Sequence, residues 1–261
     1  MINLKKIFSL FTVLLAGSTF LLSCGGSKVS QTSIPTVEQR FELGKAAYDK
    51  EDWLEAIRIF DEIRLQAPTS SVATEATFLE GMSRYKSGTY ISAAVDFRSV
   101  RRNYPSSPIA PRAQFMVAES YYMLSPQPLL DQQYSGYALI EYQNFLRDYS
   151  STEKNLADSA QMRIAEIRNK FGMKYLMGAE LYLKLSYYKA AIQGFNRVVD
   201  SYYDTPAAIE AQLRIAEVQY GRKKFRDAQD AIQVFEDKFF KDATPSQRNR
   251  AHSIKQSVSM N

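Results

Sequence analysis

The chain has 261 residues, 45% hydrophobic and 23% charged, with a formal net charge of +5. That is an ordinary globular composition, with room for one or two domains, and it excludes collagen-like and compositionally disordered classes. One cysteine and one histidine exclude an internal disulfide framework and any multi-His or multi-Cys metal cage.

The N-terminus reads as an export leader, residues 1–23. Lys5 and Lys6 precede an uncharged, mostly apolar run over 7–22, too short to cross a bilayer comfortably. The run ends in Leu21-Leu22-Ser23-Cys24-Gly25, which has the lipobox pattern of an aliphatic residue, a small residue and then cysteine. Cleavage before Cys24, the sole cysteine, would leave its thiol and new amine to carry acyl chains, palmitate among them. Two or more chains anchor stably, at about 0.8 kcal/mol per buried methylene. The competing reading is a plain secretory leader with a chance cysteine. Loss of Lys5 and Lys6 with the leader lowers the net charge to +3, too weak a bias for nucleic acid. Residues 24–36 are small and polar and form the expected tether. No acidic run follows Cys24, which favours an anchor facing the periplasm.

From residue 37 the chain keeps a beat. Gly44, Tyr48, Trp53, Ala56, Phe60 and Pro68 return 37 residues later as Gly81, Tyr85, Tyr90, Ala93, Phe97 and Pro105. A fixed period of this size marks stacked helical pairs, and this one fits the tetratricopeptide repeat (TPR) pattern. The anchoring alanines are Ala56, Ala93, Ala138, Ala191 and Ala228. Their spacing predicts an all-α TPR superhelix of about five helix-turn-helix repeats. Each small residue lets a bulky one approach from the facing helix. Phe60 and Phe97, and with them Trp53 and Tyr90, are expected in the core.

The beat breaks twice. Pro126 and Pro128 interrupt the third repeat, so Ala138 arrives eight residues late. An added helical segment is expected over 156–170, with a new helix starting near Met173 after Gly172. From Ala191 to Ala228 the 37-residue period returns. Ser107-Pro108 and Thr205-Pro206 read as helix starts with a hydroxyl cap before proline. The expected divisions are 37–155 for repeats 1–3, 156–242 for the linking helix and repeats 4–5, and 243–261 for a polar, fraying tail.

No HExxH, CxxC, GxSxG or phosphate-cradling glycine loop is present. His252 is expected at the surface, and the carboxylates are expected on solvated helix faces. The reading is therefore of a non-enzyme without cofactor or metal. A second periodic set points to binding instead. Phe41, Phe78 and Phe115 stand 37 apart, as do Tyr48, Tyr85 and Tyr122, with Lys45, Met82 and Glu119 between them. Spacings of three and four place each trio on one helix face. In TPR arrays that face lines the concave groove, so these nine residues form a candidate peptide groove. Packing between helices is the competing role, weightier for the Phe column than for the Tyr column, whose amphipathic rings suit an interface.

With leader, cysteine and repeats in place, one segment is diagnostic. Asp131-Gln132, Ala138, Tyr142, Phe145-Leu146 and Tyr149-Ser150-Ser151 resemble the distinctive third repeat of the BamD family, TPR lipoproteins of the outer-membrane β-barrel assembly machinery. Residues 157–170 resemble its linking helix, while Asp204-Thr205-Pro206 and residues 222–228 fit its last repeat junction. Ser150 and Tyr203 depart from the family pattern, where proline is usual. The resemblance implies an adaptor at the outer membrane, facing the periplasm. Its N-terminal half would bind unfolded outer-membrane protein segments, and its C-terminal half the periplasmic domains of the barrel-forming subunit. An adaptor lipoprotein of another envelope system, for cell-wall coordination or motility, is the alternative.

Overall fold

The computed structural model describes residues 34–260. The leader, Cys24 and most of the tether lie outside them. From Val37 onward the chain forms one compact unit, and its described residues are helices joined by turns, with no strand among them. In chain order the helices are α1 (Val37–Asp49), α2 (Trp53–Gln66), α3 (Ala73–Lys86), α4 (Tyr90–Asn103), α5 (Ala110–Met123), α6 (Gln133–Tyr149), α7 (Lys154–Lys184), α8 (Tyr188–Ser201), α9 (Pro206–Gly221), α10 (Phe225–Lys238) and α11 (Pro245–Ser259). Each packs mainly on its neighbours in sequence. The first helices of successive repeats also approach each other between repeats 1 and 2, 3 and 4, and 4 and 5. This is the TPR architecture that the spacing predicts.

The beat has a backbone counterpart. Glu51, Gly88, Ser186 and Lys223 all adopt positive φ, from 60° to 83°, in the turns within repeats 1, 2, 4 and 5. These positions lie 37 apart in each pair. In each, the following amide donates to the carbonyl five residues earlier, as Thr89 N does to Arg84 O at 2.9 Å, which closes the helix C-terminus. Only Gly88 takes up that conformation without a steric penalty. The third repeat has no such turn and spans the gap with the loop after Met123. There the Gln132 amide donates to the carbonyls of Gln127 (2.7 Å) and Leu130 (3.2 Å), Lys174 donates to Leu130 O (2.8 Å), and Asp131 caps Gln133 N.

The cores follow from small-against-large packing. A Cβ on Gly44 would stand 2.6 Å from the Phe60 ring, and one on Gly81 2.8 Å from Phe97. Both phenylalanines are fully buried. Trp53 and Tyr90 are not core residues. They are half-buried at the starts of α2 and α4, because each ring lies edge-on against Tyr48 or Tyr85 at the end of the preceding helix.

Three sequence expectations about the helices change. Residues 154–184 form one helix without a break, because Gly172 is a contact point: its absent Cβ would meet Ala207 Cβ at 2.9 Å. Arg168 clamps Asp204 with two guanidinium nitrogens (2.8 and 2.6 Å), and Asn169 accepts from Ala207 N, so α7 is fastened to the start of α9. The expected tail is the helix α11, started by a Thr244–Gln247 capping box and seated through Ala251, Ile254 and Val258. Finally, α9 starts at Pro206 as read, but the Thr205 hydroxyl donates to Tyr202 O (2.7 Å) instead of capping it, and α5 starts beyond Ser107-Pro108, with Pro111 in its first turn.

The carboxylates are not all solvated either. Glu80 is fully buried between Arg64 (2.9 Å) and Arg84 (2.8 Å), with Asp61 on Arg64 as well. Two guanidiniums thus already balance two carboxylates when Asp96 arrives from α4. Its Oδ2 lies 2.8 Å from Arg84 Nε but without hydrogen-bond geometry. Burial, and then the Glu80 charge, push the Asp96 carboxyl up to about 7 against the pull of Arg84 and Arg64. The folded protein holds this proton more tightly than the unfolded chain, whose aspartate titrates near 3.9, so the group costs stability as pH rises from about 4 to about 7. Asp96→Asn is expected to gain about 2 kcal/mol at pH 8 and progressively less toward pH 4, read from denaturant midpoints across that range.

Candidate peptide-binding face

Each of the first three repeats ends its first helix in a tyrosine. Tyr48 packs edge-on against Trp53 (centroids 5.2 Å) and Tyr85 against Tyr90 (5.3 Å). All three tyrosines are half-buried, so rings are fixed while edges remain accessible. Such rings offer contact area at small entropic cost.

The Phe column belongs to the core. Phe41, Phe78 and Phe115 are only 4, 5 and 8% exposed. They pack on Phe60 (5.9 Å), Phe97 (5.4 Å), and Tyr142 and Phe145 (5.7 and 5.5 Å), the bulky residues of their own second helices. Position five of the first helix turns inward within its repeat, so Phe41 and Phe78 are removed from the candidate groove and Phe115 reaches only a cavity at its end. Of the intervening residues, Lys45 lies over the Phe41 ring and pairs with Glu42 (3.2 Å). Met82 packs with Tyr85 around the second core. Glu119 is buried and accepts from the Tyr142 hydroxyl and from Arg163 Nε (3.2 Å).

Charged side chains flank each tyrosine. The Arg112 guanidinium from α5 lies 5.2 Å over Phe78 and makes no ion pair among the described residues. Burial raises the Tyr48 pKa, Arg112 lowers it and Asp49 raises it. Burial first, then Glu119, pushes Tyr85 up to about 12. Tyr122 donates to Glu166 Oε2 (2.6 Å), and Arg163 covers its ring at 4.2 Å. Burial and that hydrogen bond raise the Tyr122 pKa too. The three hydroxyls therefore stay protonated at neutral pH, as donors beside fixed charges. Arg163, Glu166 and Arg112 were missed in sequence. Arg163 and Glu166 reach the face because α7 packs against α5, and only packing against Phe78 marks Arg112.

Beyond Tyr122 the face ends in a cavity of about 300 Å³ between α5 and α7, lined by Phe115, Glu119, Ser159, Met162, Arg163 and Glu166. The C-terminal half presents an apolar surface, with Leu181 and Leu185 one turn apart at the end of α7 and Tyr187 beside them, all exposed.

The fold is that of a TPR protein. Among the described residues no helix is long and apolar enough to cross a membrane. The family model for YfiO, described as an outer membrane lipoprotein, matches residues 35–235, and the chain belongs to this BamD-like family. No curated protein matches the chain. Among solved structures it is similar to the TPR2AB-domain:pHSP90 complex of yeast Sti1 (13% identity, 85% of this chain and 98% of that one, TM-score 0.37). It is also similar to a thermophilic TPR protein of Thermus thermophilus (14%, 84% and 98%, TM-score 0.34). A third is a TPR protein of Parabacteroides merdae (14%, 86% and 99%, TM-score 0.37).

Proposed function

We propose that this protein is a non-catalytic, lipid-anchored scaffold of the outer-membrane β-barrel assembly machinery, held through Cys24 and facing the periplasm. Repeats 1–3 bind unfolded outer-membrane protein segments along Tyr48, Tyr85 and Tyr122. The half formed by α7 to α11 holds the periplasmic domains of the barrel-forming subunit. The observation that carries this reading is the row of three fixed tyrosines flanked by charges, on consecutive repeats of a chain in this family. The exposed Leu181, Leu185 and Tyr187 support a separate contact in the second half.

Crosslinked affinity capture through a C-terminal tag tests both halves. The unaltered chain is expected to recover unfolded outer-membrane proteins and a barrel protein with periplasmic domains. Tyr48→Ala with Tyr85→Ala should reduce the former by at least about tenfold and leave the latter unchanged. Those two substitutions lower stability by about 1–2 kcal/mol through the lost ring pairs, so the folded fraction is checked alongside. Failure to recover any such barrel protein would sink the reading in favour of another envelope system.

A further inference from the structure

The cavity beyond Tyr122 has a charge pattern that the tyrosine row does not account for. Its wall holds two carboxylates, Glu119 and Glu166, against one guanidinium, Arg163. Arg163 is shared between them, at 3.2 Å from Glu119 Oε1 and 3.0 Å from Glu166 Oε2. The Tyr142 and Tyr122 hydroxyls donate to those same two oxygens. Glu119 Oε2 and Glu166 Oε1 consequently accept from no described residue. Glu119 is only 9% exposed, yet its Oε2 is not among the fully enclosed orphan atoms, and the space that Glu119 meets is the cavity. The next cation, Lys170, also offsets the Glu166 charge, but its ammonium donates to the Ser125 hydroxyl (2.5 Å) and does not line the wall, so the lining itself keeps one carboxylate in excess.

The Glu119 oxygen has little access to bulk water and no donor, and a ligand that supplies the donor recovers that cost, whereas the Glu166 oxygen, on an exposed side chain, adds charge at the cavity mouth. The remaining walls are apolar: the Phe115 ring and the Met162 thioether, the latter 66% exposed and free to fold over an occupant. Apolar walls around an anionic floor suit a side chain with an alkyl stem and a cationic head. An anionic side chain would meet the excess negative charge of the lining, and an aliphatic one would leave the Glu119 oxygen without a donor. The volume holds one large side chain. We propose that this cavity binds a single basic side chain, arginine or lysine, of an extended client segment lying on the tyrosine face. The inference rests on the proposed function of that face and adds a register: one basic residue placed beyond the residues that meet Tyr85.

The test compares two short peptides, acetylated and amidated, of alternating Ser, Tyr and Val, with either arginine or its neutral isostere citrulline at one central position. Binding to the full chain in non-ionic detergent is read by fluorescence anisotropy. The arginine peptide is expected to bind about tenfold more tightly, as for a charge-assisted hydrogen bond. The preference should shrink in Glu166→Gln, which alters a half-exposed side chain, and vanish when Glu119→Gln is added. The amide oxygen introduced by Glu119→Gln can still accept from Tyr142, and a melting curve verifies the fold. Tyr48→Ala should weaken both peptides alike. Equal binding of the two peptides to the unaltered chain would overturn the cavity proposal while leaving the tyrosine face standing. Absence of binding by either would overturn the reading of that face and the cavity proposal with it.

Discussion

Gly81→Val should lower the stability of the protein by about 3 kcal/mol, measured as a shift in denaturant midpoint. The Cβ alone would stand 2.8 Å from Phe97 Cε1 and 2.9 Å from Cδ1, and valine adds two methyls beyond it. Phe97 has no room to retreat. It is fully buried and already packed on Phe78 at 5.4 Å, with Ala93, Ala94 and Val100 around it. Either α3 and α4 separate, losing the contact that defines the repeat, or the ring leaves its rotamer. Gly136→Val is the control, since a Cβ there meets nothing within 4 Å. It should raise stability slightly, by less than about 0.5 kcal/mol, the difference in helix propensity alone. Because valine is a better helix former than glycine, comparable losses at both sites would show that the Phe97 contact does not set the cost at Gly81.

The same contact explains how much of the fold could be read from the sequence. Gly44 with Phe60 and Gly81 with Phe97 are each a small and a large residue that need one another, so both recur at the same interval. The helices of the first two repeats and of the last pair follow from that beat. The left-handed turn at Glu51, Ser186 and Lys223 is equally periodic, but three non-glycine residues occupy it, and only Gly88 betrays it. Gly172 misled for the opposite reason. In a sequence it resembles a helix stop, but in the structure it admits Ala207 against an unbroken α7. The polar sequence of α11 hid a helix because just three residues, Ala251, Ile254 and Val258, face inward.

The candidate face was legible in part for a related reason. A helical face can be derived from spacing, but which neighbour it meets cannot. Tyr48, Tyr85 and Phe41 share a spacing, yet the Phe position turns toward its own second helix and the Tyr position sits at the helix end. The burial of Glu80 and Glu119 was beyond sequence reasoning: besides Arg84 four residues on, which a solvated helix pair would also show, Glu80 meets Arg64 16 residues away, and Glu119 meets Arg163 44 residues away. Arg163 in particular meets Glu119 only because the loop after Met123 lets α7 pack against α5.

Deleting residues 244–261 is expected to have a larger effect, confined to one end. The helix α11 covers α9 and α10, where Ile254, Val258 and Ala251 close the last core against Phe235, Phe239 and Ile232. Its Arg250 also bridges Glu210 (2.9 Å) and Glu217 (2.8 Å) on α9, and Lys255 holds Glu236 (2.8 Å) on α10. Burial of Ile254 and Val258 is worth about 1.5–3 kcal/mol each, so the fifth repeat should lose about 3–6 kcal/mol. Repeat arrays are stabilised by nearest-neighbour interfaces, and a bare terminal repeat exposes its apolar face. Hydrogen exchange should therefore show lost protection in α9 and α10. The effect should fade through α8 and leave α3 and α4 as in the intact chain, because no helix of the first two repeats touches α11. Glu210 and Glu217 would lose Arg250, but Arg214 keeps Glu217 (2.7 Å) and Glu180 (2.5 Å), so α9 stays fastened to α7 on its other side. Uniform loss of protection across all repeats would instead mean that the array unfolds as a single cooperative unit. Unchanged protection in α10 would mean that α11 contributes nothing as a cap.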